Sequence, residues 1–281
     1  SIWQNAFIDN KQQMIYGDSL FYNDSTGWGE GFRNIIIKDT ANSLLVKGDY
    51  AWYLKTPEKF MVTDSAMFIQ YGGSDSLFLH ADTIGVKTIT DPSGNAYRLM
   101  RAYYKCKVFS NDMQAKCDSL SYSFQDSVIR LYDKPVIWTE ENQLTADSIA
   151  VFTKNRQADK MELYNTAFVS IQVDTLRFHQ IKGRLLTGYF RNNKLYKINI
   201  DGNGESIYYL LDGDEITGVN KASCSSIDIF VEDNEIKEII QYKEPEGTIN
   251  TPSELPDANP RLPGFSWLDG IRPKRISDIF K

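Results

Sequence analysis

Gly17-Asp18-Ser19-Leu20-Phe21-Tyr22 is the stretch on which the fold turns, because the chain keeps repeating it. It returns as Gly48-Asp49-Tyr50-Ala51-Trp52-Tyr53, Thr63-Asp64-Ser65-Ala66-Met67-Phe68 and Ala81-Asp82-Thr83-Ile84-Gly85-Val86. It returns again as Cys117-Asp118-Ser119-Leu120-Ser121-Tyr122, Ala146-Asp147-Ser148-Ile149-Ala150-Val151 and Val173-Asp174-Thr175-Leu176-Arg177-Phe178. Two and four residues after the Asp, the side chains are mostly apolar, as in Leu20 and Tyr22, Ile84 and Val86, or Leu120 and Tyr122. That alternation is the period of a half-buried strand. The residue three before the Asp is usually apolar too, as in Ile15, Val46, Leu79 and Leu144. The two sets lie an odd number of residues apart, so a straight strand would send them to opposite faces. Both reach one interior only if the strand bends at the small-residue-Asp step. A carboxylate suits the bend because it accepts N–H groups that the bend frees. Asp18, Asp49, Asp64, Asp82, Asp118, Asp147 and Asp174 are therefore expected at structural corners.

Outside the repeat, the composition excludes several classes of function. The 281 residues allow one large or two ordinary domains, and 42% hydrophobic content with 13% aromatic supplies a core. Net charge is −6 and the cations are scattered, which argues against nucleic acid. No apolar run is long enough for a membrane-spanning helix. The chain begins Ser1-Ile2-Trp3 without Met, which reads as a processed start. His80 and His179 are single strand residues, and with three Cys they make no ligand cluster, so neither metal nor cofactor is expected. Equivalent corner carboxylates in a row are unlike the two distinct carboxylates that catalysis needs, so no enzyme is expected.

Short strands and turns follow one another with no helical period, which makes the chain all-β. Thr26-Gly27-Trp28-Gly29-Glu30-Gly31 reads as a loop, and Asp201-Gly202-Asn203-Gly204, Asn192-Asn193 and Glu232-Asp233-Asn234 as turns. If Asn111-Asp112 form a turn, Cys106 and Cys117 lie directly opposite; the pair is then two small buried thiols or a strained cross-strand disulfide. After residue 180 the repeat erodes, with Arg184 and Ser225 where Asp is expected. From Pro245 onward, six of the nine prolines forbid a ladder, and Gly264-Phe265-Ser266-Trp267-Leu268 is expected to dock on the sheet or on a partner. The expected division is a β repeat domain over 1–180, its continuation or a second lobe over 181–245, and an extended tail over 246–281.

The run of units resembles the OstA-like family, that of the lipopolysaccharide transport protein LptA and the N-terminal domain of LptD. Met113-Gln114-Ala115-Lys116-Cys117-Asp118-Ser119-Leu120-Ser121-Tyr122 carries the likeness best, with Lys134-Pro135-Val136-Ile137-Trp138 and Asn142-Gln143-Leu144-Thr145-Ala146-Asp147-Ser148-Ile149. Gly188-Tyr189-Phe190 through Ile207-Tyr208-Tyr209, and the tail Leu262-Pro263-Gly264-Phe265-Ser266-Trp267, are similar to its Bacteroidetes branch.

The resemblance implies a twisted open antiparallel jelly roll in the periplasm or on the periplasmic face of the outer membrane. It implies a groove that shields the acyl chains of lipopolysaccharide or another acylated lipid. It also implies sheet-edge pairing with itself or with other envelope transport proteins. The inward side chains expected to line the groove are Leu20, Tyr22, Tyr53, Phe68, Ile84, Val86, Leu120, Tyr122, Ile149, Val151, Leu176 and Phe178. The alternative is a structural or adhesive module in which the same residues form a closed core.

Overall fold

A computed structural model describes residues 2–9, 13–40, 43–71, 76–140, 142–154, 157–192, 194–213, 215–232, 235–254 and 259–281. The expected turns at Asn192-Asn193 and Glu232-Asp233-Asn234 reach residues outside that set. The fold is all-β and antiparallel, of jelly-roll type, with no α-helix among the described residues. Two compact units form: Ser1–Leu131 with Arg272–Lys281, and Tyr132–Ile271. The boundary expected at 180/181 falls inside a continuous strand, Phe178–Arg191.

Unit 1 contains β1 (Ile2–Asp9), β2 (Gln13–Asn23), β3 (Trp28–Asp39), β4 (Leu44–Leu54), β5 (Lys59–Thr63) and β6 (Met67–Gln70). It continues with β7 (Leu77–His80), β8 (Thr83–Thr90), β9 (Ala96–Phe109) and β10 (Gln114–Ser123), and β11 (Val128–Tyr132) crosses the boundary. The ladder runs β1–β2–β3–β4. From there β4 pairs with both β5 and β6, and β9 with both β7 and β8, before β10 closes it. β5 with β6, and β7 with β8, are thus halves of bent strands, broken at Asp64-Ser65 and at Ala81-Asp82. Each strand has one half in a first arm and the other in a second arm.

Unit 2 repeats the plan. Its strands are β12 (Val136–Thr139), β13 (Asn142–Thr145), β14 (Ser148–Lys154), β15 (Gln157–Gln172) and β16 (Phe178–Arg191). β17 (Lys194–Asp212), β18 (Glu215–Glu232), β19 (Glu235–Tyr242) and β20 (Glu246–Asn250) complete it. β13 and β14 both pair with β15, and β19 and β20 both pair with β18. β20 corrects the expectation that the chain beyond Pro245 stays out of the ladder. It is a short strand before the irregular tail. Asp201-Gly202-Asn203-Gly204 is likewise no turn but the middle of β17, and Trp28–Gly31 belongs to β3 rather than to a loop.

Every bend follows one rule. A single corner residue faces two consecutive residues on the next strand, and those two mostly have positive φ. Asp49 faces Arg33-Asn34 (φ 59 and 51), Arg184 faces Asn165-Thr166 (φ 53 and 41), and Ser225 faces Gly202-Asn203 (φ 83 and 54). Asp118 faces Tyr104-Lys105, of which Lys105 has φ 56. The extra residue turns the strand, as a bulge does. The residue before each single corner is small because a neighbour's side chain occupies its space. A Cβ on Gly48 would stand 2.3 Å from Val62 Cγ1, and one on Gly183 2.3 Å from Ile200 Cγ2.

Asp18, Asp49, Asp82, Asp118 and Asp147 occupy single corners, where they mostly accept side-chain rather than backbone donors. Asn34 Nδ2 donates to Asp18 at 3.1 Å and Thr166 Oγ1 to Asp147 at 2.7 Å, while the Asn34 N–H reaches Asp49 at 3.3 Å. Two assignments are corrected. Asp64 (φ 57) and Ser65 form a two-residue corner opposite Asp49, whose N–H donates to the Asp64 carbonyl. Asp174 sits in the β15–β16 hairpin turn, where its carboxylate accepts the N–H groups of Leu176 and Arg177, each at 2.8 Å. Those N–H bonds, with the Arg177 guanidinium, hold Asp174 below the usual carboxylate range.

Candidate functional site

Residues directly opposed in an antiparallel ladder project from the same face. In the first arm of unit 1, one register row runs Leu20–Gly31–Ala51–Val62–Ile84–Ala102–Leu120, and every member is buried. Large and small side chains share the row, which lets the facing second-arm row pack into it. That second row is Ile15–Ile37–Val46–Phe68–Leu79–Val108–Ala115, buried from Val46 onward. Removing each aliphatic side chain from water contributes about 1.5–3 kcal/mol.

One step farther from the corners the surroundings change. The next row on the same face is Tyr22–Gly29–Tyr53–Phe60–Val86–Met100–Tyr122. Here Tyr22 is 38% exposed, and Tyr53, Phe60, Val86 and Tyr122 are half-buried. The apolar lining thus continues past the closed core to a lip that water reaches. Tyr122 meets the exposed Phe124 there, at 4.6 Å between ring centroids. Tyr22, Tyr53, Val86 and Tyr122, named from the corner repeat, lie on this row. The repeat missed Phe60 and Met100, whose strands turn at the two-residue corners Asp64-Ser65 and Tyr104-Lys105. Their signal was the apolar run Phe60-Met61-Val62 and the alternation Met100-Arg101-Ala102.

Unit 2 has the matching rows, closed from β14 to β18 and half-buried only at their ends on β19, Gln241 and Ile239. Ile149–Leu163–Leu186–Ile200–Ile227 and Val151–Met161–Gly188–Ile198–Ile229 are buried throughout. Ile149 and Val151 are therefore core. Leu176 and Phe178 fail as inward residues because Asp174 is not a corner. Leu176 is 61% exposed in its turn. Phe178 belongs to the outer face of the second arm, opposite that of Ile181.

The tail covers that outer face in unit 2. Phe265 packs on Phe168 and Phe178, and Trp267 on Phe178 at 4.8 Å. Leu262 joins the Phe168–Ile207–Tyr209–Val219 cluster. Two buried amides take the place of a ladder partner. Gln180 accepts the Leu262 N–H at 2.8 Å and donates to Pro260 O at 2.9 Å; Gln143 accepts the Leu268 N–H at 2.6 Å and donates to Ser266 O at 2.7 Å. The expected docking of Phe265 and Trp267 on the sheet is thus what forms. Beneath the tail lies a cleft of about 710 Å³, lined by Thr145, Phe168, Pro263 and Leu268 with the Lys182–Glu205 ion pair (2.8 Å). None of the side chains expected to line a groove lies here, and of the corner aspartates only Asp147 does. In unit 1 the last residues cover the outer face of the second arm, with Phe280 against His80 and Arg272 Nε donating to Gln114.

The titratable groups are structural. His80 Nδ1 is bonded to the Ala66 carbonyl at 2.8 Å. His179 accepts the Tyr209 N–H and stacks on Tyr208, and burial lowers its pKa to about 4. Cys106 and Cys117 are directly opposed, as the Asn111-Asp112 turn requires, and both are free thiols. Their mutual hydrogen bond and then burial push the Cys106 thiol up. Among the described residues, no group of three His, Cys, Asp or Glu converges as a metal site.

No protein-family model matches the chain, and no curated protein matches it. Among solved structures, the crystal structure of LptH, the LptA homologous periplasmic component of the conserved lipopolysaccharide transport device from Pseudomonas aeruginosa, is similar at 14% identity. The match covers 43% of this chain and 81% of that chain, with a TM-score of 0.35.

Proposed function

We propose that the chain is a non-enzymatic lipid-binding module of the cell envelope. Its unit 1 groove shields lipopolysaccharide acyl chains during transport to the outer membrane or assembly in it. The place of action is the periplasm or the periplasmic face of that membrane. The observation that carries this reading is the change of exposure between two adjacent rows in unit 1. A buried apolar row is continued by the half-exposed Tyr22, Tyr53, Phe60, Val86 and Tyr122. Such a lip takes an acyl chain out of water at about 0.8 kcal/mol per methylene buried. The repeat's resemblance to the OstA-like family, Bacteroidetes branch included, points the same way. Sheet edges such as β1 in unit 1 and β20 in unit 2 present ladder groups for pairing with another copy or an envelope partner.

Photo-crosslinking tests the groove. A benzoylphenylalanine at Tyr53 or Tyr122 should label with lipopolysaccharide, whereas one at Ser119 on the opposite face or at buried Val151 should not. Labelling at Ser119 without labelling at Tyr53 or Tyr122 would sink the reading. The closed-core alternative is favoured for unit 2, where both inner rows are buried from β14 to β18. That unit then acts as a rigid module, and lipid binding belongs to unit 1.

A further inference from the structure

The outer face of the unit 1 first arm is unlike a solvated face. It alternates with the buried rows along β2–β5, β8 and β9. Its middle row is Phe21–Glu30–Trp52–Met61–Gly85–Arg101. The flanking rows bring Phe32–Tyr50 on one side and Trp28–Leu54–Lys59–Lys87 on the other. Phe21 is 41% and Phe32 44% exposed. Trp28 and Trp52 stack at 5.2 Å, and the Lys59 ammonium lies 5.6 Å over the Trp52 ring. A contiguous aromatic face of this kind marks an interaction surface. The same face in unit 2 also carries rings, in the row Phe152–Lys160–Tyr189–Lys197–Phe230, but its two lysines there are paired with carboxylates, Lys160 with Glu162 at 2.7 Å and Lys197 with Asp228 at 2.9 Å.

The charge on the face selects its partner. The chain is acidic, with net charge −6, yet this face sets Lys59, Lys87 and Arg101 against Glu30. Glu30 is engaged by the Tyr50 hydroxyl, which donates to it at 3.0 Å. Lys59 and Lys87 are directly opposed in adjacent strands, a like-charge pair that destabilises a sheet. An anionic surface relieves that repulsion. Indole and phenol rings favour the zone where apolar matter meets water, and cations beside them favour anionic headgroups. We infer that this face docks on an anionic lipid bilayer. Phe21, Trp28, Phe32 and Trp52 enter the headgroup zone, and Lys59, Lys87 and Arg101 meet the phosphates. Nothing in this inference depends on the groove.

Co-sedimentation of the full chain with vesicles tests it. The protein should pellet with phosphatidylglycerol–phosphatidylethanolamine vesicles, less so at high salt, and stay free of pure phosphatidylcholine. Lys59→Gln with Lys87→Gln should weaken binding on the order of tenfold or more. Phe21→Ser with Phe32→Ser should do the same; these side chains are exposed, so the fold tolerates the change. Lys38→Gln with Lys47→Gln, on the other arm, removes equal charge and should have little effect. The inference is overturned if wild-type protein does not pellet, or if the Lys38/Lys47 variant loses as much binding as the Lys59/Lys87 variant. Binding of a soluble oligosaccharide or a second copy by these same side chains, with vesicles ignored, also overturns it.

Discussion

Asn34 donates its side-chain amide to the Asp18 carboxylate at 3.1 Å while its own backbone sits at φ 51. One residue thus supplies both the left-handed step that bends β3 and the donor that holds β2 at its corner. Asn34→Gly keeps the backbone freedom and should change stability by about 1 kcal/mol or less. Asn34→Val loses the hydrogen bond and places a β-branched residue in the left-handed region, costing about 2–3 kcal/mol. Urea unfolding of the two variants checks the order, and equal midpoints would contradict it.

Gly48 and Gly85 separate packing from backbone effects. A Cβ at Gly48 would lie 2.3 Å from Val62 Cγ1 and 2.7 Å from the Thr63 carbonyl, whereas at Gly85 nothing is nearer than 3.4 Å. Gly48→Ala should destabilise unit 1 by about 1–3 kcal/mol through overpacking. Gly85→Ala should stay within about 0.5 kcal/mol of wild type. Thermal denaturation of both distinguishes them.

His179 gives an acid dependence of known sign. Burial lowers its pKa from 6.5 to about 4, so between those values the unfolded chain binds more protons than the folded one. Stability therefore rises with pH through that window and is lost as pH falls from 6.5 towards 4, by up to about 3 kcal/mol. His179→Leu starts about 1–3 kcal/mol lower, because the Tyr209 N–H loses its acceptor, but its profile should be flatter there. Denaturant midpoints at neutral and mildly acid pH measure the difference.

Gln180 clamps the tail from a fully buried position. Gln180→Leu strands the Leu262 N–H and the Pro260 carbonyl, each at about 1–3 kcal/mol if left buried. The tail should then release before the ladder does. Proteolysis should move to residues 259–268, with β15–β18 still resistant. Simultaneous loss of tail and strands would show that the tail is integral to the unit 2 core.

The single corners were legible because two demands coincide at each of them. The residue before the corner must be small to admit an Ile or Val from the neighbour, as Gly183 admits Ile200. The corner residue is polar, and at Asp18, Asp49, Asp82, Asp118 and Asp147 it is a short carboxylate. The two-residue corners left no such mark. Arg33-Asn34, Asn165-Thr166 and Lys243-Glu244 share only positive φ, which many exposed polar residues can adopt in context. That is why Asp64, on a two-residue corner, looked like the other aspartates. Asp174 looked like them too, because a hairpin turn asks the same hydrogen bonds of a carboxylate. The lip row was half legible: Tyr22 and Tyr122 follow corner aspartates, whereas Phe60 and Met100 join them only through register.

The sequence by itself determined an all-β chain whose strands bend at spaced corners and turn Leu20, Ile84, Leu120 and Ile149 inward. Alternation and local turn chemistry act within a few residues, so they are written in the chain. Only tertiary structure decided where the interior closes and where it opens. It buried Val151 in unit 2 and left Tyr22 at a lip in unit 1. It also laid the tail over Phe178 and gathered Phe21, Trp28, Phe32 and Trp52 on one outer face. Those outcomes depend on which residues the ladder sets opposite one another across long separations, and no local pattern encodes that pairing.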